Sequence, residues 1–102
     1  MNQNSLVSAI ITTYNAERYI KKTISSVIGQ SYKNWELIII DDCSLDSTWQ
    51  LLKYFKLNHQ NIHIFKNKEN FGCNFSRNLA ISKAKGRFLS FLDHDDFWLP
   101  EK

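Results

Sequence analysis

Glycine, proline and cysteine are scarce: three, one and two among 102 residues. So little glycine and proline excludes collagen-like repeats and low-complexity linkers. No apolar run approaches the ~20 residues that a membrane-spanning helix needs. The opening Met1-Asn2-Gln3-Asn4-Ser5 lacks the basic-then-apolar plan of a signal peptide, so a cytoplasmic location is expected. Without an export signal, Cys43 and Cys73 read as reduced thiols and not as a disulfide. There is no C-x-x-C and no Cys/His zinc spacing. Neither G-x-G-x-x-G nor G-x-x-x-x-G-K-S occurs, which removes the dinucleotide fingerprint and the P-loop. A strong charge of one sign is also missing, since 13 basic and 10 acidic residues leave a net charge of +3. The basic residues are scattered, as at Lys21, Lys22, Lys53, Lys56, Lys66, Lys68, Lys83, Lys85 and Arg87. They read as a solvated surface, and no nucleic-acid partner is expected.

What is present suits a packed core, with 43% hydrophobic and 14% aromatic residues. Four short apolar runs alternate with helical patterns. Residues 6–12 (LVSAIIT) are short and rich in β-branched side chains, the mark of a strand. Asn15 is placed as an N-cap, and Ile20, Ile24, Val27 and Ile28 then fall on one helix face that stops at Gly29. Residues 35–40 (WELIII) form a second strand, apolar enough to be covered on both faces. Ser44 or Asp46 would cap a second helix carrying Trp49, Leu52 and Phe55. Residues 61–66 (NIHIFK) alternate as a third strand with one more exposed face. A third helix is expected over 74–85, with Phe75, Leu79 and Ser82 along one side and Gly86 as its stop. Residues 87–92 (RFLSFL) complete the set.

This alternation predicts a Rossmann-like three-layer α/β/α fold with a mostly parallel sheet of about four strands. Right-handed crossovers and helices on both faces require the winding to reverse once, giving the strand order 3-2-1-4. Ligands in such sheets bind beyond the carboxyl ends of the strands, at the reversal. Thr12-Thr13-Tyr14-Asn15, Asp41-Asp42 and Asp93-His94-Asp95-Asp96 all fall on that edge. The last group is a D-x-D whose crowded carboxylates repel one another unless a cation neutralises them. Hard oxygen ligands on a loop suit Mg²⁺ or Mn²⁺, which share their coordination with substrate phosphates. The plainer alternative is a helix N-cap cluster, because Pro100 marks a helix start. Asp42 can accept hydrogen bonds from a base edge or ribose hydroxyls, or cap its own loop, and a capping role fits Asp41 equally. Tyr14 can stack on a nucleobase or pack against strand four. Arg77 is a permanently charged fork suited to a diphosphate, or an ion-pair partner of an acidic loop.

Residues 7–48 (VSAIITTYNAERYIKKTISSVIGQSYKNWELIIIDDCSLDST) and 67–102 (NKENFGCNFSRNLAISKAKGRFLSFLDHDDFWLPEK) closely resemble the N-terminal half of family 2 glycosyltransferases with the GT-A fold. The resemblance runs from Val7 to Lys102 and rests on several motifs in order. It implies that residues 1–102 are the nucleotide-sugar-binding part of a GT-A domain. By position, Thr12 and Tyr14 would hold nucleobase and ribose, Asp42 would contact the base, and Arg77 would lie near the diphosphate. Asp95 would be the direct metal ligand, with Asp93 nearer the sugar or ribose and contributing to the metal site. The cofactor implied is Mn²⁺ or Mg²⁺, and the donor a nucleoside-diphosphate sugar, with UDP favoured. The resemblance implies inverting transfer to an acceptor hydroxyl, in bacterial surface polysaccharide or cell-envelope glycan synthesis.

Such transfer needs a general base near the acceptor oxygen. The resemblance places that base beyond Lys102, so no catalytic residue is assigned here. Trp98-Leu99-Pro100-Glu101-Lys102 reads as a helix that has only begun. The expectation is a domain truncated after the D-x-D, inactive alone, with strand four left as an apolar edge through which copies could associate. A truncated, non-catalytic nucleotide-binding or interaction module is therefore the alternative.

Overall fold

The computed structural model describes residues 5–93. Along the chain run β1 (Val7–Thr13), α1 (Ile20–Ile28), β2 (Trp35–Asp41), α2 (Thr48–Asn58), β3 (Ile62–Lys66), α3 (Cys73–Lys83) and β4 (Phe88–Asp93). The strands form one sheet in the order β3-β2-β1-β4, and every neighbouring pair is parallel. The three-layer α/β fold and strand order expected from the alternation are therefore the ones observed.

β2 is buried at all seven positions. This follows from its central place and its run of β-branched residues, which pack well on a pleated surface covered on both sides. One face carries the larger core, where Ala9, Ile11, Leu37, Ile39 and Ile62 meet Ile20, Ile24 and Val27 of α1 and Leu52 and Phe55 of α2. On the other face Ile10, Ile38 and Ile40 meet Ala80 of α3, with Leu79 and Phe65 partly buried around them.

Three local expectations need correction. Asn15 does not cap α1, which begins only at Ile20 behind Tyr19. Asn15 instead adopts a positive φ of 50°, a conformation asparagine tolerates, and its side chain is used elsewhere. The inward side of α3 is Ser76 and Ala80, with Leu79 only partly buried, and Phe75 is exposed. Phe75 turns away from the sheet to meet Phe71, with ring centroids 4.6 Å apart. A buried serine is tolerated because Ser76 Oγ accepts a hydrogen bond from Asn67 Nδ2 at 2.9 Å. Finally, α3 stops at Lys83, not at Gly86. Gly86 serves a close approach, since a Cβ there would lie 2.7 Å from the backbone nitrogen of Ser8 and 2.8 Å from the carbonyl oxygen of Leu6.

That approach belongs to a polar lock at the amino end of the sheet. Buried Glu36 accepts Ser8 Oγ at 2.6 Å and the Lys85 N–H at 2.7 Å through Oε2, while Ser8 Oγ accepts the Gly86 N–H at 2.8 Å. His63 Nε2 lies 3.7 Å from Glu36 Oε1. With the amino end fixed, the carboxyl ends of the strands present a defined edge.

Candidate functional site

The carboxyl edge is set by register. Thr12 lies between Ile40 of β2 and Asp93 of β4, and Thr13 lies beside Asp41. The winding reverses between β2 and β4 across β1, so this is the crevice where open α/β sheets bind ligands.

Asp41 organises the inner part of the edge. It is fully buried and accepts Thr13 Oγ1 at 2.7 Å and Ser44 Oγ at 2.6 Å through Oδ1, with the Ser44 N–H at 3.0 Å on Oδ2. Ser44 Oγ in turn accepts the Asn15 N–H at 2.9 Å, and Asn15 Oδ1 accepts the Leu45 N–H at 2.8 Å. Next in line, Thr48 Oγ1 accepts the Ala16 N–H at 2.8 Å. The N-cap position of α2 is Ser47 and neither Ser44 nor Asp46, but Asp46 Oδ1 accepts both the N–H and the hydroxyl of Thr48, at 2.9 and 2.5 Å, and so braces the helix start. Glu17 and Asp46 close the exchange, with Glu17 N–H donating to Asp46 Oδ2 and Ser47 N–H to Glu17 Oε2. Burial pushes the Asp46 carboxyl up, but its bonds from Thr48 and Glu17 outweigh this and hold it below the usual carboxylate range. The β1–α1 and β2–α2 loops are thus stitched into one ledge.

Asp42 does something else. It is 5% exposed, and its carboxylate reaches across to the β3–α3 loop. Oδ1 accepts Asn67 Nδ2 at 2.9 Å and the Phe71 N–H at 2.8 Å, and Oδ2 accepts the Gly72 N–H at 2.9 Å. Burial pushes this carboxyl up, yet the hydrogen bonds from Asn67, Phe71 and Gly72 win and leave it below its ordinary value. It is therefore an anion at neutral pH. Capping its own loop is Asp41's role, not that of Asp42. Three of the roughly four acceptor directions of this carboxylate are occupied, two on Oδ1 and one on Oδ2.

The other expected residues surround it. Tyr14 is 40% exposed at the tip of β1. Thr12 Oγ1 lies 3.5 Å from the sulfur of Cys73, the first residue of α3. Arg77, one turn further along α3, donates to that sulfur at 3.4 Å and holds its guanidinium carbon 5.7 Å from the Phe91 ring centroid. Both cysteines are free thiols. Cys43 sits at a positive φ of 64° beside Asp42, with its thiol directed at the Lys68 carbonyl at 3.6 Å. Among the described residues, no three His, Cys, Asp or Glu side chains form a metal-binding group. The backbone of Asp93 ends β4 opposite Thr12. Its side chain, together with His94, Asp95, Asp96, Pro100 and the expected terminal helix, lies outside the described residues.

The sequence did not show the side-chain work of Asn15 and Asn67, nor that Asp41 and Asp46, expected as local caps, join two loops. The available signal was the density of short Asn, Asp, Ser and Thr side chains after β1 and β2, which favour local side chain-to-backbone bonds.

A doubly wound parallel sheet with anchored carboxylates and an arginine gathered at its reversal defines a Rossmann-like class of α/β domain. Within that class the chain belongs to Glycosyl transferase family 2, whose family model matches residues 8–102. It is 44% identical over 101 residues to the putative teichuronic acid biosynthesis glycosyltransferase TuaG of Bacillus subtilis, covering 99% of this chain and 40% of that protein. It is 43% identical over 97 residues to the Escherichia coli UDP-Glc:alpha-D-GlcNAc-diphosphoundecaprenol beta-1,3-glucosyltransferase WfaP, covering 95% and 38%. The chain thus spans about two fifths of the length of these relatives. Among solved structures, S. aureus TarS 1-349 in complex with UDP superposes with a TM-score of 0.86 at 33% identity, over 93% of this chain and 29% of that one. The Pyrobaculum calidifontis mannosyltransferase PcManGT, in complex with GDP-Man and Mn²⁺, shares the fold with a TM-score of 0.84 at 24% identity, over 90% and 28%. The fold is that of GT-A glycosyltransferases. Among the described residues, no helix is long and apolar enough to cross a membrane.

Proposed function

We propose that this chain forms the donor-binding part of an inverting glycosyltransferase that moves a sugar from a nucleoside diphosphate, UDP foremost, to an acceptor hydroxyl in bacterial cell-envelope polysaccharide synthesis, on the cytoplasmic side. The observation that carries this reading is the convergence of Thr12, Tyr14, Asp42 and Arg77 on one sheet edge in a family 2 chain. The names of TuaG and WfaP and the UDP complex of TarS support the substrate class.

In this reading Tyr14 presents its ring to the nucleobase, with stacking worth about 1–3 kcal/mol. Asp42 accepts a base N–H through its remaining acceptor direction, Thr12 faces the ribose, and Arg77 offsets the diphosphate charge. The carboxylates of Asp93 and Asp95 are a hard-oxygen donor set that fits Mn²⁺ or Mg²⁺, which would stabilise the charge developing on the departing diphosphate. In the reaction the acceptor oxygen forms a bond to the anomeric carbon as the bond to the diphosphate oxygen breaks, and the acceptor proton goes to a base. None of the residues above is assigned that role. A second reading is nucleotide binding without turnover, because none of the residues above is assigned the base.

Calorimetric titration of UDP, GDP and dTDP, with and without Mn²⁺, tests the assignment. UDP binding that strengthens with metal and weakens at least about tenfold in Asp95→Ala is expected, about 1.4 kcal/mol. Absence of binding, or indifference to Asp95→Ala, would overturn it. Sugar release from UDP-sugar by the chain alone would overturn the second reading.

A further inference from the structure

Arg77 carries a full positive charge, yet its described neighbours are neutral. One is the Cys73 sulfur, 3.4 Å from Nη2, and the other is the ring of Phe91, 5.7 Å from the guanidinium carbon. Among the described residues no carboxylate pairs with it. A carboxylate would hold an arginine more firmly but would also cancel its field. A thiol and an aromatic face fix the direction of the guanidinium and leave the charge available to an anion.

Both neighbours are also tied to the sheet edge. Cys73 Sγ lies 3.5 Å from Thr12 Oγ1 of β1, while Phe91 stands on β4 two residues before Asp93. Phe91 is 46% exposed, and its ring lies beside the guanidinium. The geometry points to Cys73 and Phe91 as positioning residues that hold Arg77 for the donor diphosphate. This deepens the donor-site reading and rests on it. An arginine left to its many rotamers would lose that freedom on binding, and the preformed cradle removes part of the loss beforehand.

The test compares UDP with uridine, which lacks the phosphates, by NMR titration of the wild-type chain and of Phe91→Leu, Cys73→Ala and Arg77→Ala. Each positioning variant should weaken UDP binding about 2- to 5-fold while uridine binding stays unchanged. Arg77→Ala should weaken UDP further, and adding Phe91→Leu to it should cost nothing more, because the ring acts through the guanidinium. Equal losses of UDP and uridine would show a merely structural role and overturn the proposal. So would an undiminished Phe91→Leu effect in the Arg77→Ala background, or UDP binding unchanged in both positioning variants. If the wild type binds uridine and UDP equally, the diphosphate role of Arg77 falls. If it binds neither, the donor-site reading itself fails.

Discussion

Asp42 Oδ2 accepts the backbone N–H of Gly72 at 2.9 Å, tying the end of β2 to the residue that precedes α3. Together with the Phe71 N–H on Oδ1, this bond makes one carboxylate the anchor of the whole β3–α3 loop. Asp42 therefore shapes the site whether or not it touches a ligand.

That anchor predicts a pH-dependent stability. The folded-state pKa of Asp42 lies below its unfolded value, so its contribution is fully present above pH ~3.9 and is lost as pH falls through the lowered folded value. Asp42→Asn keeps the size of the side chain but turns one acceptor into a donor facing a backbone N–H, at a cost of about 1–3 kcal/mol. Urea unfolding should show that difference at pH 7 and a shrinking one below pH ~4. A constant difference across this range would place the stabilisation elsewhere.

Two glycines should fail for different reasons when replaced by alanine. Gly72 has φ 96° and ψ 161°, and a Cβ there would meet nothing within 4 Å. Gly72→Ala should thus cost only backbone strain, about 1–3 kcal/mol. Gly86→Ala would press on the backbone of Leu6 and Ser8 and disturb the Glu36 lock. Its cost should reach about 1–3 kcal/mol through overpacking. Amide exchange separates the two, with protection lost in the 67–76 loop for the first and at the amino ends of β1 and β4 for the second.

Among the described residues β4 is a terminal strand of the sheet, and Phe88, Leu89 and Phe91 on it are 39%, 43% and 46% exposed. An apolar edge of this kind pairs readily with another chain unless a charge blocks it. The 102-residue chain should associate in a concentration-dependent manner in sedimentation equilibrium, and Leu89→Lys should shift it toward monomer. A wild-type chain that stays monomeric at high concentration would contradict this.

Much of this arrangement was legible in the chain. Short β-branched runs alternating with helical periodicity state a parallel sheet, and both the strand order and the carboxyl-edge placement of Thr12, Asp42 and Asp93 follow from crossover rules. Helix 3 was less legible because its apolar residues do not all face inward. Phe75 left the core to pair with Phe71, while Ser76 entered it because Asn67 could satisfy its hydroxyl.

The sequence determined the periodicities, and periodicity is enough to order a sheet whose strands must all bury the same kind of surface. Tertiary structure alone decided which of two adjacent aspartates holds its own loop and which reaches across to another. Asp41 and Asp42 are chemically identical, but Asp41 is the last residue of β2 and Asp42 the first beyond it, and successive side chains of an extended chain point to opposite faces. One faces Ser44 and Thr13 on the α1–α2 side, and the other finds the N–H groups of Phe71 and Gly72 some thirty residues away.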